Sequence, residues 1–224
     1  MWIVLLGAPG CGKGTQAEYL INEKKFTVVS VGDILRNNKS KPVTEDGQTI
    51  GDIIGRGALL PDEIVLDLVK AELAKIGDVA SKNLLFDGFP RTPWQAESLS
   101  VIAKSFEKEI DCVLNFIIED EVITKRILGR YKCSKCGKIY NDFFLKPIKD
   151  GVCDICGNDK FDRRADDNEE SLKKRLAEYH GKTIALIDFY SEAGVLKDIN
   201  ADADFETVKE SVLKSLNLNK KENI

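Results

Sequence analysis

The stretch Gly7-Ala-Pro-Gly-Cys-Gly-Lys-Gly-Thr15 constrains this chain more than any other. It follows a short apolar run, Trp2–Leu6, and precedes a helical pattern over Lys13–Asn22. Glycines let the main chain curl closely around an anion. Successive N–H groups and the helix N-terminus then turn positive potential toward it. Lys13 adds a full charge where terminal phosphates would lie. The loop departs from the general GxxxxGK[ST] pattern in one respect, since Gly14 separates Lys13 from Thr15.

The rest of the chain alternates strands and helices, which implies an α/β fold with a parallel sheet covered on both faces. Strand-like runs occupy Trp2–Leu6, Phe26–Ser30, Leu84–Phe86, Cys112–Ile118 and Val195–Asn200. Asp62–Ile76 has apolar residues at helical spacing (Ile64, Val65, Leu68, Val69, Leu73). Asp167–Tyr190 reads as one long helix, with Asp167 as N-cap and Glu170 as its partner three residues on. A last helix covers Glu206–Leu216. Two stretches break the alternation, residues 30–60 and 129–167, and both read as insertions on the core. The core is then 1–29, 61–128 and 168–220, with a tail over 221–224.

The balance of 33 basic against 37 acidic residues gives a net charge of −4, which argues against a broad basic face for nucleic acid. No apolar run reaches the roughly 18 residues that span a bilayer. The N-terminal run lacks the basic flank of a signal peptide, so the expectation is a cytoplasmic protein without membrane contact. Cys133, Cys136, Cys153 and Cys156 form two CxxC pairs. In a reducing compartment this spacing points to tetrahedral zinc with no open position, hence a structural site. An insertion of about 40 residues has little core of its own, and a metal compensates.

Several motifs occur in order: GAPGCGKGTQAE, SVGDILR at 30–36, LLPDEIV at 59–65, DGFPRTPWQAE at 87–97, RILGR at 126–130 and DRRADDNEESLKKRLAEYH at 162–180. Together with the CxxC pairs they resemble the bacterial-type adenylate kinases, long form with a zinc-bearing lid, over nearly the whole chain. The resemblance implies a three-layer P-loop fold on a five-stranded parallel sheet. It implies that 30–60 binds the monophosphate and that 129–167 is the lid. The implied reaction is ATP + AMP ⇌ 2 ADP with Mg²⁺, carried out by a monomer.

The resemblance also implies site residues. Gly10, Cys11, Gly12, Lys13, Gly14, Thr15 and Arg130 would hold ATP, with Ile139, Tyr140 and the backbone near Ala203 around its base. Val31, Arg36, Ala58, Leu59, Leu60, Gly88, Phe89, Pro90, Arg91 and Gln95 would hold AMP, with Arg164 and Arg175. Lys13, Arg91, Arg126, Arg164 and Arg175 would carry the transfer. Asp87 would hold Mg²⁺ through water. Arginine suits these tasks because it is always charged and binds phosphate in a planar fork. Asp166 and Asp167 would orient lid arginines, and His180 would be structural.

One departure bears on specificity. Val31 stands where these enzymes commonly have a threonine, which keeps the shape and loses the hydroxyl. Kinases of UMP and CMP also lack that hydroxyl, so a pyrimidine or broadened acceptor stands as the alternative reading. Gln95, able to satisfy a donor and an acceptor edge together, favours AMP. A non-catalytic nucleotide-binding or zinc-ribbon module is a third reading, opposed by DGFPR and the lid arginines.

Overall fold

The computed structural model describes residues 1–218, so the tail expected over 221–224 lies outside the described residues. In chain order the elements are β1 (Trp2–Gly7), α1 (Lys13–Lys24), β2 (Thr27–Ser30), α2 (Val31–Asn37), α3 (Ile50–Gly55), α4 (Asp62–Ile76), β3 (Leu84–Asp87), α5 (Pro93–Ser105) and β4 (Cys112–Ile117). There follow α6 (Asp120–Leu128), β5 (Arg130–Cys133), β6 (Ile139–Asn141), β7 (Phe161–Asp162), α7 (Glu169–Glu178), α8 (Ala185–Glu192), β8 (Leu196–Asn200) and α9 (Phe205–Ser215).

Among the described residues the main sheet has five strands, all parallel, in the order β2-β3-β1-β4-β8. Side chains of a strand alternate between faces, and β1 divides accordingly between two cores. Trp2, Val4 and Leu6 join α4, α5 and α8 through Val65, Val69, Leu99, Leu186 and Tyr190. Ile3 and Leu5 join α1 and α9 through Leu20, Val208 and Val212. Both faces of β1 are fully buried, which is why its sequence is a continuous apolar run rather than an alternating one. The register sets Leu5 beside Asp87, Ser30 beside Asp87 and Gly7 beside Phe116. The carboxyl ends of β1, β2 and β3 therefore open on one crevice, where ligands bind in sheets of this kind.

Residues 30–60 carry α2 and α3. Ser30 caps α2 by accepting from Asp33 N, and Thr49 with Asp52 forms a capping box on α3. Their apolar faces (Val31, Ile34, Leu35, Ile50, Ile53) continue the α4 core. Residues 129–167 form a separate antiparallel sheet in the order β6-β5-β7. Its interior is small: Tyr140, Cys133 and Cys153 are buried, with Tyr131, Phe161 and Cys156 against them.

The expected single helix over 167–190 is corrected in two ways. Its N-cap is Asn168, which accepts from Ser171 N at 2.9 Å. Asp167 is instead drawn away into an ion pair with Arg130. The helix is also interrupted by a π turn over Tyr179–Thr183 between α7 and α8. That wide turn brings Thr183 Oγ1 to donate to the Arg91 carbonyl at 3.0 Å. A π turn in a helix commonly accompanies such a tertiary demand.

Gly57 marks the closest approach of the first insertion to α7. Its φ is +77°, and a Cβ there would lie 2.7 Å from the Ser171 carbonyl. Only glycine meets both conditions. Gly57→Ala is expected to destabilise the fold by about 1–3 kcal/mol, read as a lowered Tm.

Candidate functional site

The site is built first on the loop after β1. Gly7 has φ +140°, and a Cβ on it would stand 2.7 Å from the Phe116 carbonyl, so the loop leaves the sheet pressed against β4. Lys13 opens α1 and folds over its own loop. Its Nζ donates to the carbonyls of Gly7 at 2.6 Å and Ala8 at 2.9 Å and lies 3.4 Å from Cys11 Sγ. The lysine is thereby held over the concave side of the loop. Arg126, in the last turn of α6, donates to the carbonyls of Cys11 at 3.2 Å and Ala201 at 3.1 Å. It joins the phosphate loop to the turn after β8, beside half-buried Ala203.

Besides Arg126, the chain brings further guanidinium groups near one another. Burial is the main cause that pushes Arg91 below the ordinary arginine range; Arg36 adds to it and the Asp87 carboxylate opposes it. Arg164 is lowered by burial and by the charges of Arg130 and Arg36. Arg175 is lowered by burial and by Arg130 and Arg91, with Asp166 opposing. Arg36, Arg91, Arg130, Arg164 and Arg175, from five different segments, thus form one mutually repelling cluster. Carboxylates hold it in place. Asp167 takes Arg130 in a bidentate pair at 2.6 and 2.8 Å, with the Asp167 side chain only 2% exposed. Asp166 lies 3.3 Å from Arg175, and Asp33 pairs with Arg36 at 2.6 Å. A desolvated group of cations with planar donors is a receptor for polyanions.

The loop after β3 supplies the other wall. Its Phe89–Pro90 peptide is cis and Gly88 has φ +75°. Arg91 Nε donates to the Gly88 carbonyl at 3.0 Å, which folds the arginine over its own loop. Gln95, buried one turn into α5, accepts from Arg91 N at 2.7 Å and donates to Asp62 Oδ1 at 2.7 Å. Thr92, the N-cap of α5, donates to Asp62 Oδ2 at 2.8 Å.

In the second sheet, Cys133, Cys136, Cys153 and Cys156 bring their sulfurs within 4.8 Å of one another. Cys133 and Cys156 are 3.5 Å apart, as are Cys136 and Cys153. Thiolates at about 2.3 Å from a tetrahedral ion stand about 3.8 Å apart, so this set could hold one. Each CxxC is followed by a glycine with positive φ, Gly137 and Gly157, whose N–H returns to the first cysteine's carbonyl. The Tyr140 hydroxyl, 3.4 Å from Cys153 Sγ, pulls that thiol down to about 6.

The family model described as "Adenylate kinase" matches residues 5–195. The chain belongs to the adenylate kinase family. It is 43% identical over 213 residues to the adenylate kinase of Paracoccus denitrificans, covering 95% of each chain. It is 43% identical over 220 residues to that of Caldicellulosiruptor bescii, covering 97% of this chain and all of the relative. A third relative, from Zymomonas mobilis, is 41% identical over 88% of this chain and 86% of its own length. Alignment over nearly full length means that both insertions are included, not the phosphate loop alone.

Lys13 folds over its own loop, Arg91 over Gly88, and Gln95 is tied to Arg91 N and Asp62. Ala58 and Leu59 are half-buried and Leu60 buried between α3 and α4. The Tyr140 side chain is 1% exposed, stacked on Tyr131, edge-on to Phe161 and bonded toward Cys153, within the interior of the small sheet. Strand alternation puts it on the inner face, and Ile139 beside it is half-buried. Val31 is likewise buried in the α4 core. His180 pairs with Asp120 at 3.0 Å between the π turn and α6, a structural tie.

Three residues were missed from the sequence. Asp62 reads locally as an acid at a helix N-terminus. Asn141 Nδ2 donates to the Arg126 carbonyl at 2.8 Å, and Arg163 donates to the Leu128 carbonyl while gripping Asp142. Nothing in their spacing signals that Asn141 and Arg163 fasten the small sheet to α6.

Proposed function

We infer that the chain catalyses ATP + AMP ⇌ 2 ADP, with Gly10–Thr15 taking the donor phosphates and Arg36, Arg91 and Gln95 the acceptor. What supports this reading is membership of the adenylate kinase family over nearly the whole chain, together with Lys13 folded over its glycine loop. Transfer between nucleotides needs alignment, charge neutralisation and exclusion of water rather than covalent help from the protein. The attacking phosphate oxygen is already anionic, so no base is required.

In this reading Lys13 exchanges its carbonyl partners for the β- and γ-phosphates and stays with the moving group. Arg91 orients the acceptor phosphate. Arg126 and Arg130 hold the donor, and Arg164 with Arg175 stabilise charge on the phosphoryl group in flight. Adenylate kinases use Mg²⁺ with ATP, and the ion would supply charge neutralisation to the phosphates when bound. Asp87 at the end of β3 suits an ion held through water. The four cysteines would hold a structural Zn²⁺ in a lid over 129–167, which closes to exclude water. No helix among the described residues is long and apolar enough to cross a membrane. We propose a cytoplasmic monomer that needs neither membrane nor nucleic acid.

Turnover with ATP and each of AMP, GMP, CMP and UMP tests the acceptor. AMP is expected to dominate, and dominant use of a pyrimidine monophosphate would overturn the assignment. Arg91→Ala and Lys13→Ala are expected to lower kcat by at least about 100-fold. A raised KM with kcat intact would place their contribution in ground-state binding instead. Metal analysis is expected to return about one zinc per chain. Stripping it with a chelator should lower Tm, and an unchanged melt would remove zinc from the structural account.

A further inference from the structure

Gln95 is the polar group left to read the acceptor base, because Val31 contributes shape alone. A primary amide is ambiguous. Turned one way it accepts from an amino group and donates to a ring nitrogen, as a 6-aminopurine requires. Flipped, it donates to a carbonyl and accepts from a ring N–H, as a 6-oxopurine requires. Which purine is favoured depends on what holds the amide.

Two neighbours hold it. The Arg91 main-chain N–H can only donate, and it meets Oε1 at 2.7 Å. The Asp62 carboxylate can only accept when ionised, and it meets Nε2 at 2.7 Å. Asp62 is itself fixed, since its other oxygen accepts from Thr92 Oγ1 at 2.8 Å. The Thr92 hydroxyl cannot turn away freely, because its oxygen accepts from Gln95 N at 3.2 Å. The ring Asp62–Thr92–Gln95 closes on itself within a buried corner, Gln95 being 2% exposed. It leaves one amide N–H and one oxygen lone pair for a ligand.

We propose that Asp62 is a specificity-determining positioning residue: by accepting from Gln95 Nε2 it bars the flipped amide and so excludes 6-oxopurine monophosphates. The flipped state would set the amide oxygen against the carboxylate and the NH₂ group against the Arg91 N–H. Both contacts are repulsive, and the amide that would make them is itself buried. Asp62 touches no reacting atom. It lies directly after Leu60-Pro61 at the start of α4, so the same carboxylate ties the 58–60 wall to the Arg91 loop. Discrimination is thereby built into the ligand-free protein. This rests on the reading of the site as one that takes AMP against Gln95.

The test measures kcat/KM for AMP and for IMP at saturating ATP in the full chain and in Asp62→Ala, Asp62→Asn and Gln95→Ala variants, with Tm recorded for each. The AMP-to-IMP ratio is expected to fall about tenfold in Asp62→Ala. A smaller fall is expected in Asp62→Asn, whose amide oxygen can still accept and which keeps the side-chain shape. The IMP value should hold or rise while the AMP value drops, and KM for ATP should stay constant. A purely structural role would lower both acceptors together, and that result would overturn the proposal. Unchanged ratios in both Asp62 variants with a collapsed ratio in Gln95→Ala would also overturn it, leaving the Gln95 reading intact. An unchanged ratio in Gln95→Ala would overturn that reading and the proposal with it.

Discussion

The structure depends on repulsion that is held in check. Burial, and then the charge of neighbouring guanidinium groups, lowers the proton affinity of Arg91, Arg164 and Arg175, with Arg36 and Arg130 among the charges that act on them. Such an arrangement is costly without anions. Asp33, Asp166 and Asp167 offset part of that cost in the protein itself. The rest of the molecule can be understood as the frame that keeps these groups facing one another. The parallel sheet aims three strand ends at one crevice. The two insertions bring Arg36 from one side and Arg130 and Arg164 from the other.

Helix α7 is the element that all parts share. It presents Arg175 to the cluster and packs through Leu172 against Ile123 and Ile127 of α6. It meets the first insertion where the Ser171 carbonyl approaches Gly57. Immediately before it, Asp166 and Asp167 hold arginines of the cluster. The small cysteine-bearing sheet is fastened at its root by Asn141 and Arg163 to the carbonyls that end α6.

Much of the fold was legible because it is made of local signals. The largely buried strands β1, β3 and β4 are continuous apolar runs, and all five strands fall within a residue or two of their expected positions. Helix α4 has its expected bounds because apolar spacing and the following Gly77 agree. The candidate site was legible through motifs that crowd glycine, lysine and arginine into short stretches. What escaped was decided by partners distant in sequence. Asp167 looks like a cap until Arg130 claims it, and Asn168 takes its place. Asp62 is silent because an acid at a helix N-terminus is ordinary, and its partners lie some thirty residues away.

The π turn between α7 and α8 has a consequence for evolution within this fold. An extra residue accommodated in one wide turn changes the phase of everything after it. Leu186 and Tyr190 face the main core only because that phase is set upstream, at Tyr179–Thr183. Loss of a single residue there would restore regular winding, swing α8's apolar side off the sheet and withdraw Thr183 from Arg91. The helix is thus a counted length, a gear whose teeth engage the core at one end and the Arg91 loop in the middle. Substitutions can drift along it, whereas insertions and deletions cannot.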